Sequence, residues 1–258
     1  MRLMKRILSA AAVLALSASL LVGCSSGTAS SVPVSASSAA ESTVSSVEET
    51  ASSAVDENEA AAAQLLNDLT GSYQELWPVI LADEYKQTWL DDCTALVGEE
   101  NAEAAFEKLS SMVTSDVYGE DAVEAYANGG GAYFCGFTNS LATLTFDGET
   151  STISGTDKDG NVLFSHTYHY IGMEPVRGLY EFESDDADSG EFTYFFLAPD
   201  TSAETYHIEF RYGSDAEALS QYDAGEYAYW VASGISTDCD QTMIDNCIEL
   251  FCTENLAG

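Results

Sequence analysis

Hydrophobic positions along the chain follow two different periods. Between residues 59 and 126 they recur every three to four positions, with Ala, Glu and Leu abundant, which predicts helices over 59–69, 77–96, 99–112 and 120–126. From Tyr133 onward the period is two. Segments rich in Tyr, Phe, Thr and Ile then predict strands over 141–146, 150–154, 162–171, 178–183, 191–198 and 206–212. Such a meander of short strands predicts an antiparallel barrel.

Turn and capping residues divide these segments. Asp-Gly pairs at 147–148 and 159–160 predict hairpin turns. Ser214 and Glu217 have the spacing of a capping box, which predicts a short helix through Leu219. After the Tyr-rich segment 221–235, Thr237 with Asp240 predicts the start of a last helix. Its apolar face comprises Met243, Ile244, Cys247, Ile248 and Phe251.

The first residues have the pattern of an export signal. A basic start is followed by an apolar run over 7–22, and the chain then reads Leu21-Val22-Gly23-Cys24. This sequence resembles the lipobox of bacterial lipoproteins, in which the cysteine is diacylated and becomes the mature N-terminus. We therefore expect a lipoprotein signal peptide over 1–23. A lipid anchor on Cys24 would hold the protein on the extracytoplasmic face of the cell membrane.

A segment of low complexity follows the signal. Residues 24–60 consist mainly of Ser, Ala, Thr, Val and Glu and contain no aromatic residue. Because so few large side chains cannot offset chain entropy by burial, this segment is predicted to be a disordered tether. A flexible chain of this length has a root-mean-square span of roughly 30 to 36 Å, enough to lift a domain off a membrane. The folded domain is predicted over 61–258.

Composition and charge exclude several classes of function. The 258 residues include 43 Asp and Glu against 8 Lys and Arg, a formal charge of −35, so the surface would repel phosphates and no nucleic-acid partner is expected. Hydrophobic residues at 46% nevertheless require a folded domain. Because the sequence contains no nucleophile elbow, Walker loop or dinucleotide fingerprint, we do not expect an enzyme.

Several motifs in the sequence resemble those of a known protein family. The run His207-Ile208-Glu209-Phe210-Arg211-Tyr212-Gly213 and the Ala-Leu helix after it resemble the metal-binding segment of the ZinT (YodA-like) family. Segments 69–78, 167–172 and 197–199 are similar to further motifs of that family. The resemblance implies a mainly β fold with α: a lipocalin-like (calycin) antiparallel barrel with an N-terminal helical part and a C-terminal helix. It also implies zinc binding that assists metal uptake, with a metal ABC transporter as partner.

The family's ligands are only partly present. Its two strand histidines fall on His207 and Glu209, and its third falls on Phe195, which cannot bind metal. Residues i and i+2 of a strand share a face, so His207 and Glu209 are expected to look into the barrel. Two ligands make a weak site. A third is expected from His166, because alternation lets only one of His166 and His169 face inward.

Two functions remain open from the sequence. One is a metal-binding lipoprotein that captures zinc, or a similar divalent ion, for a transporter. The other is a lipocalin-like module with a degenerate metal site, which binds a ligand or partner in an apolar, Tyr-lined cup. The five cysteines after Cys24 are an odd number in an exported domain, so at least one must stay free or pair with another molecule.

Overall fold

The computed structural model describes residues 57–198 and 207–256. The predicted signal peptide, Cys24 and nearly all of the predicted tether lie outside these residues. The last four residues assigned to the tether, 57–60, instead begin the first helix, and the compact unit starts at Glu59. Within the described ranges, no helix has the length and apolar character needed to cross a membrane.

Eight strands form a closed barrel in which each strand pairs antiparallel with the next and the last pairs with the first. The strands are β1 Gly71–Glu75, β2 Thr143–Asp147, β3 Thr152–Thr156, β4 Val162–Met173, β5 Tyr180–Ser184, β6 Tyr194–Leu197, β7 His207–Gly213 and β8 Ala232–Ser236. The predicted lipocalin-like barrel is confirmed. The sequence pattern missed β1, in which only Tyr73 is buried, and β8, in which burial on both faces removes the alternation.

Helices lie before the barrel, in the connection between β1 and β2, in the connection between β7 and β8, and at the C-terminus. They are α1 (57–68), α2 Leu76–Ile80, α3 Lys86–Val97, α4 Ala102–Ser111, α5 Glu120–Ala127, α6 Ala216–Leu219 and α7 Gln241–Leu256. The predicted single helix over 77–96 is wrong, because the chain bends after Ile80. At this bend the indole N–H of Trp89 donates to the carbonyl of Ile80 at 2.7 Å, which brings α2 and α3 together.

Aromatic side chains fill the barrel. Phe164 and Phe192 stack with ring centroids 4.0 Å apart, and Phe195 lies 5.4 Å from Tyr212. Helix α1 closes one end of the barrel with Ala62, Leu65 and Leu66, all buried in the same core. Phe192, in the connection between β5 and β6, covers the other end. The interior is therefore a packed protein core. The hypothesis of a lipocalin-like binding module instead expected an apolar, Tyr-lined cup at this place.

A second core lies outside the barrel wall. Helices α2, α3, α4 and α7 bury their apolar faces together and against β8, which contributes the outward side chain of Ile235. The apolar face predicted for α7 is largely confirmed, since Ile244, Cys247 and Ile248 are buried. Its predicted start is only partly correct: Asp240 caps the helix by accepting from the backbone N–H of Met243 at 3.0 Å, whereas the hydroxyl of Thr237 donates to the carbonyl of Ser72. This core attaches the helical half to the barrel.

The predicted cap of α6 is displaced by one residue. Asp215, and not Ser214, precedes the helix and accepts from the backbone N–H of Ala218 at 3.1 Å. The hydroxyl of Ser214 instead donates to the carboxylate of Glu191 at 3.3 Å. Adjacent Ser and Asp are both good capping residues, so the sequence pattern alone does not separate them.

Candidate functional site

His166 lies on the inner face of β4, at the rim of the barrel. Its partner across the sheet is Ile153, which belongs to the barrel core, and its ring lies 5.9 Å from that of Phe164. The ring Nδ1 lies 2.8 Å from Oδ2 of Asp186, which follows β5. Because a carboxylate only accepts, Nδ1 is the donor, and in the neutral imidazole Nε2 would keep a lone pair. The side chain of His166 is 18% exposed, against 61% for Asp186.

His169 lies three residues further along β4, on the outer face. Its Nδ1 is 2.8 Å from Oδ1 of Asp185, and Nε2 is 4.0 Å from a carboxylate oxygen of Glu183. Two successive aspartates after β5 thus hold two histidines on opposite sides of the barrel wall. The pairing between β4 and β5 that brings the aspartates to the histidines cannot be seen in the sequence.

His207 and Glu209 face away from the barrel interior. Within β7 it is Ile208, Phe210 and Tyr212 that belong to the barrel core. His207 pairs with Ile235, which packs in the outer core beneath the helices. The expectation that His207 and Glu209 look inward is therefore wrong. The two residues do share one face, as their spacing requires.

Glu209 lies close enough to two buried thiols to affect their ionisation. Burial raises the pKa of Cys135 to about 12, and the negative charge of Glu209 adds to the shift. Burial likewise raises the pKa of Cys247 to about 12, with further contributions from Cys239 and then Glu209. Both thiols are thus protonated at neutral pH, a state in which they are poor metal ligands.

The three predicted metal ligands are not brought together. His166 faces the interior beside the connection between β5 and β6, whereas His207 begins β7 on the outer face at the opposite end of the barrel. Across residues 57–198 and 207–256, no three His, Cys, Asp or Glu side chains form a group that could hold a metal ion. The set His207, Glu209 and His166 therefore does not fit one zinc ion.

Phe195 occupies the position that the resemblance assigns to a third histidine. It is fully buried inside the barrel, and its ring lies 5.4 Å from that of Tyr168 and 5.9 Å from that of Phe164. The space that a ligand would need at this position is occupied by aromatic core. The replacement is therefore part of the packing of the barrel interior.

A buried cation was missed by the sequence analysis. Arg211 is fully buried on the outer face of β7, where its guanidinium donates to the carbonyls of Leu219, Gln221 and Tyr227. Its charge also lies 4.4 Å from the ring centre of Tyr222. Burial lowers the pKa of Arg211 to about 10. The signal available in the sequence is one basic residue within an otherwise apolar and acidic strand.

The solved structures that resemble this chain include two zinc-bound ones. The Zn(II)-bound ZinT-like domain of Streptococcus pneumoniae AdcA is 15% identical, over 71% of this chain and 89% of that chain, with a TM-score of 0.45. Zn(II)-bound AdcA from the same organism is 14% identical, over 72% of this chain and 35% of that chain, with a TM-score of 0.42. No protein-family model and no curated protein matches the chain. At this level of similarity the likeness says nothing about the chemistry of this chain.

Proposed function

We propose that this protein is an extracytoplasmic lipoprotein that binds divalent cations, zinc first among them, and takes part in metal uptake or homeostasis. The observation that carries the proposal is the pairing of His166 with Asp186 at the barrel rim. Metal-binding histidines commonly donate one ring N–H to a carboxylate, which fixes the tautomer and leaves the other nitrogen free to bind. His166 has this arrangement and is still partly exposed.

The surroundings of His166 favour cations. The chain has 43 acidic residues against 8 basic ones, and a strongly negative surface raises the local concentration of cations. Asp185 and Asp186 add two exposed carboxylates beside the barrel rim. One imidazole with nearby carboxylates makes a weaker site than three protein ligands. Such a site suits a protein that takes up a metal ion as cargo and passes it on.

A lipid anchor on Cys24 would hold this chemistry at the membrane surface. The lipobox-like sequence ending in Cys24 supports export and lipid attachment. The predicted acidic tether after it would let the folded domain stand away from the membrane. A metal ABC transporter is the partner that such a location would serve. Contact with the membrane would run through the lipid alone.

A second candidate function has its own support. His207 and Glu209 lie outside the barrel, Phe195 takes the place of a histidine, and the predicted ligands are separated by the barrel wall. These observations favour an interaction module whose metal site has degenerated. Since the barrel interior is filled, such a module would present its outer surface to a partner.

A zinc competition titration separates the two functions. We expect His166→Ala to weaken zinc binding about 10-fold, because the imidazole nitrogen is the principal ligand. His169→Ala is the matched control: it removes an imidazole from the same strand, also paired to an aspartate, but on the outer face. Equal, millimolar binding by wild type and both variants would instead show that the acidic surface collects ions nonspecifically and would favour the interaction module.

A further inference from the structure

Two buried cysteines from distant parts of the chain face each other in the outer core. Cys93 lies in α3 and Cys252 in α7, and their sulfur atoms are 3.9 Å apart across a separation of 159 residues. Both side chains are fully buried. Among the cysteines of the described residues, Cys135, Cys239 and Cys247 complete the set of five, and all are reduced in this structure.

The packing of α3 on α7 holds this pair in place. Trp89, one turn before Cys93, meets Phe251, the neighbour of Cys252, with ring centroids 5.9 Å apart in an edge-to-face contact. Phe251 also lies against Trp77 of α2 at 4.7 Å. The two sulfurs therefore approach each other between helices that are fixed by large side chains on both sides.

From this juxtaposition we propose that Cys93 and Cys252 form a structural disulfide that joins α3 to α7 in the exported protein. A disulfide needs sulfurs about 2.0 Å apart, so side-chain rotation has to close about 1.9 Å. Cys247 and Cys252 lie five residues apart on α7, and no comparable contact between their sulfur atoms favours a disulfide between them. The bond closes a long loop, and long loops gain most from cross-linking in the chain-entropy account.

The chemistry requires a disulfide donor, such as an extracytoplasmic thiol oxidoreductase or glutathione disulfide. The thiolate of one cysteine attacks the donor disulfide and forms a mixed disulfide, releasing one donor thiolate. The second protein thiolate then displaces the other donor sulfur, so one S–S bond forms in the protein. The two electrons go to the donor, which leaves as two thiols after taking up the two protons.

The burial of both sulfurs sets the time at which the bond forms. Burial raises the pKa of both the Cys93 and the Cys252 thiol, which suppresses the reactive thiolate in the folded protein. Oxidation is therefore expected as α7 docks during folding, before the core closes over the pair. Once formed, the bond is shielded from reductants by the same packing.

Thiol counting tests the proposal directly. The exported full chain is denatured and alkylated with and without prior reduction, and digests are searched for the peptide pair that contains Cys93 and Cys252. We expect this linked pair, with only Cys135, Cys239 and Cys247 alkylated before reduction. If all five are alkylated, the purified chain is refolded with glutathione disulfide. Failure to form the 93–252 link there too, or a link between other cysteines, overturns the proposal.

Stability supplies a second readout with a matched control. Oxidised wild type should melt about 5–15 °C above reduced wild type, as a long-loop disulfide in a domain of this size predicts. Cys93→Ala and Cys252→Ala should each abolish the difference between oxidised and reduced protein. Cys135→Ala also removes a buried thiol but should preserve the difference. A difference that survives in Cys93→Ala would assign the effect to another pair.

Discussion

Arg211 shows how one residue can hold a connection in place. Its guanidinium reaches the carbonyls of Leu219, Gln221 and Tyr227, all in the connection between β7 and β8. The ring of Tyr222 lies between two guanidinium groups, 4.4 Å from Arg211 and 4.1 Å from Arg177. Leu219 and Tyr227 are buried residues, so the buried cation satisfies carbonyls that would otherwise destabilise the fold.

We expect Arg211→Met to lower the free energy of unfolding by about 3 kcal/mol or more. The substitution fills most of the volume but leaves the carbonyls of Leu219, Gln221 and Tyr227, two of which belong to buried residues, without this donor. Lys158→Met is the control, since Lys158 is an exposed base in a turn and its loss should change stability by about 0.5 kcal/mol or less. Denaturant unfolding measures both. An Arg211→Met variant as stable as the control would contradict this role.

The strand β7 also shows what could be predicted residue by residue. Side chains alternate between the two faces of a strand, and this alternation correctly predicts that His207 and Glu209 share one face. The prediction that this face points into the barrel is wrong, although Ile208, Phe210 and Tyr212 mark the other face as the one that enters the barrel core. The motif resemblance favoured inward ligands, and the hydrophobic alternation was the better guide.

At the scale of elements, α1 closes the barrel end from which β1 starts. Gly148, in the turn between β2 and β3, passes directly beneath this helix. A Cβ atom built at Gly148 would lie 2.4 Å from the Cα of Asn67 and 2.6 Å from the carbonyl oxygen of Leu66. Only a residue without a side chain lets the turn and the helix approach this closely.

Gly148→Ala should therefore displace α1 and cost about 1–3 kcal/mol of stability. Gly160→Ala is the control: it lies in another hairpin turn with open space around its Cβ, and at a φ of +82° it should cost about 1 kcal/mol through backbone strain alone. Hydrogen exchange distinguishes them, since only Gly148→Ala should lose protection in α1. Unchanged protection there would show that α1 does not pack as described.

The elements that the sequence predicted well are those with a regular pattern. β4 alternates along its whole length and was found almost completely, whereas β1 and β8 were missed. β8 reads Ala-Ser-Gly-Ile-Ser and is buried between barrel core and helices, so neither alternation nor large side chains mark it. Its position depends on pairing with β7 and with β1, of which β1 is distant in sequence.

For the whole molecule, excess negative charge sets the response to pH. Burial raises the pKa of Asp92, and the nearby Glu249, Asp245 and Asp91 raise it further. One oxygen of Asp92 is buried without a hydrogen-bond partner. Burial and the charge of Glu174 likewise raise the pKa of Glu181. The folded state thus binds protons at these two groups more tightly than the unfolded chain does.

The sign of the pH effect follows from these shifts. The stability that Asp92 and Glu181 contribute is fully present below their unfolded pKa values of about 4, and it is lost as the pH rises through the folded values. Asp157 acts oppositely, because hydrogen bonds, first from Asn161, lower its pKa. Its contribution is lost only as the pH falls through that lowered folded value, so it does not affect the range between neutral and mildly acidic pH.

We therefore expect the melting temperature to be higher at pH 4 than at pH 8 in low salt, and added salt to reduce this difference by screening repulsion. Asp92→Asn should reduce the pH dependence and raise stability at pH 8. Glu99→Gln removes one charge from an exposed loop residue and should leave most of the dependence intact. A melting temperature that climbs steadily from pH 4 to pH 8 would contradict the account.

Measuring the zinc content of the protein tests the proposed metal binding at the barrel rim. The full chain, without a tag, is extracted from membranes without chelator, dialysed against micromolar free zinc and analysed for bound metal. We expect clearly more bound zinc in wild type than in His166→Ala, with His207→Ala and His169→Ala equal to wild type. Equal zinc in wild type and His166→Ala, or a loss confined to His207→Ala, would contradict the proposed site.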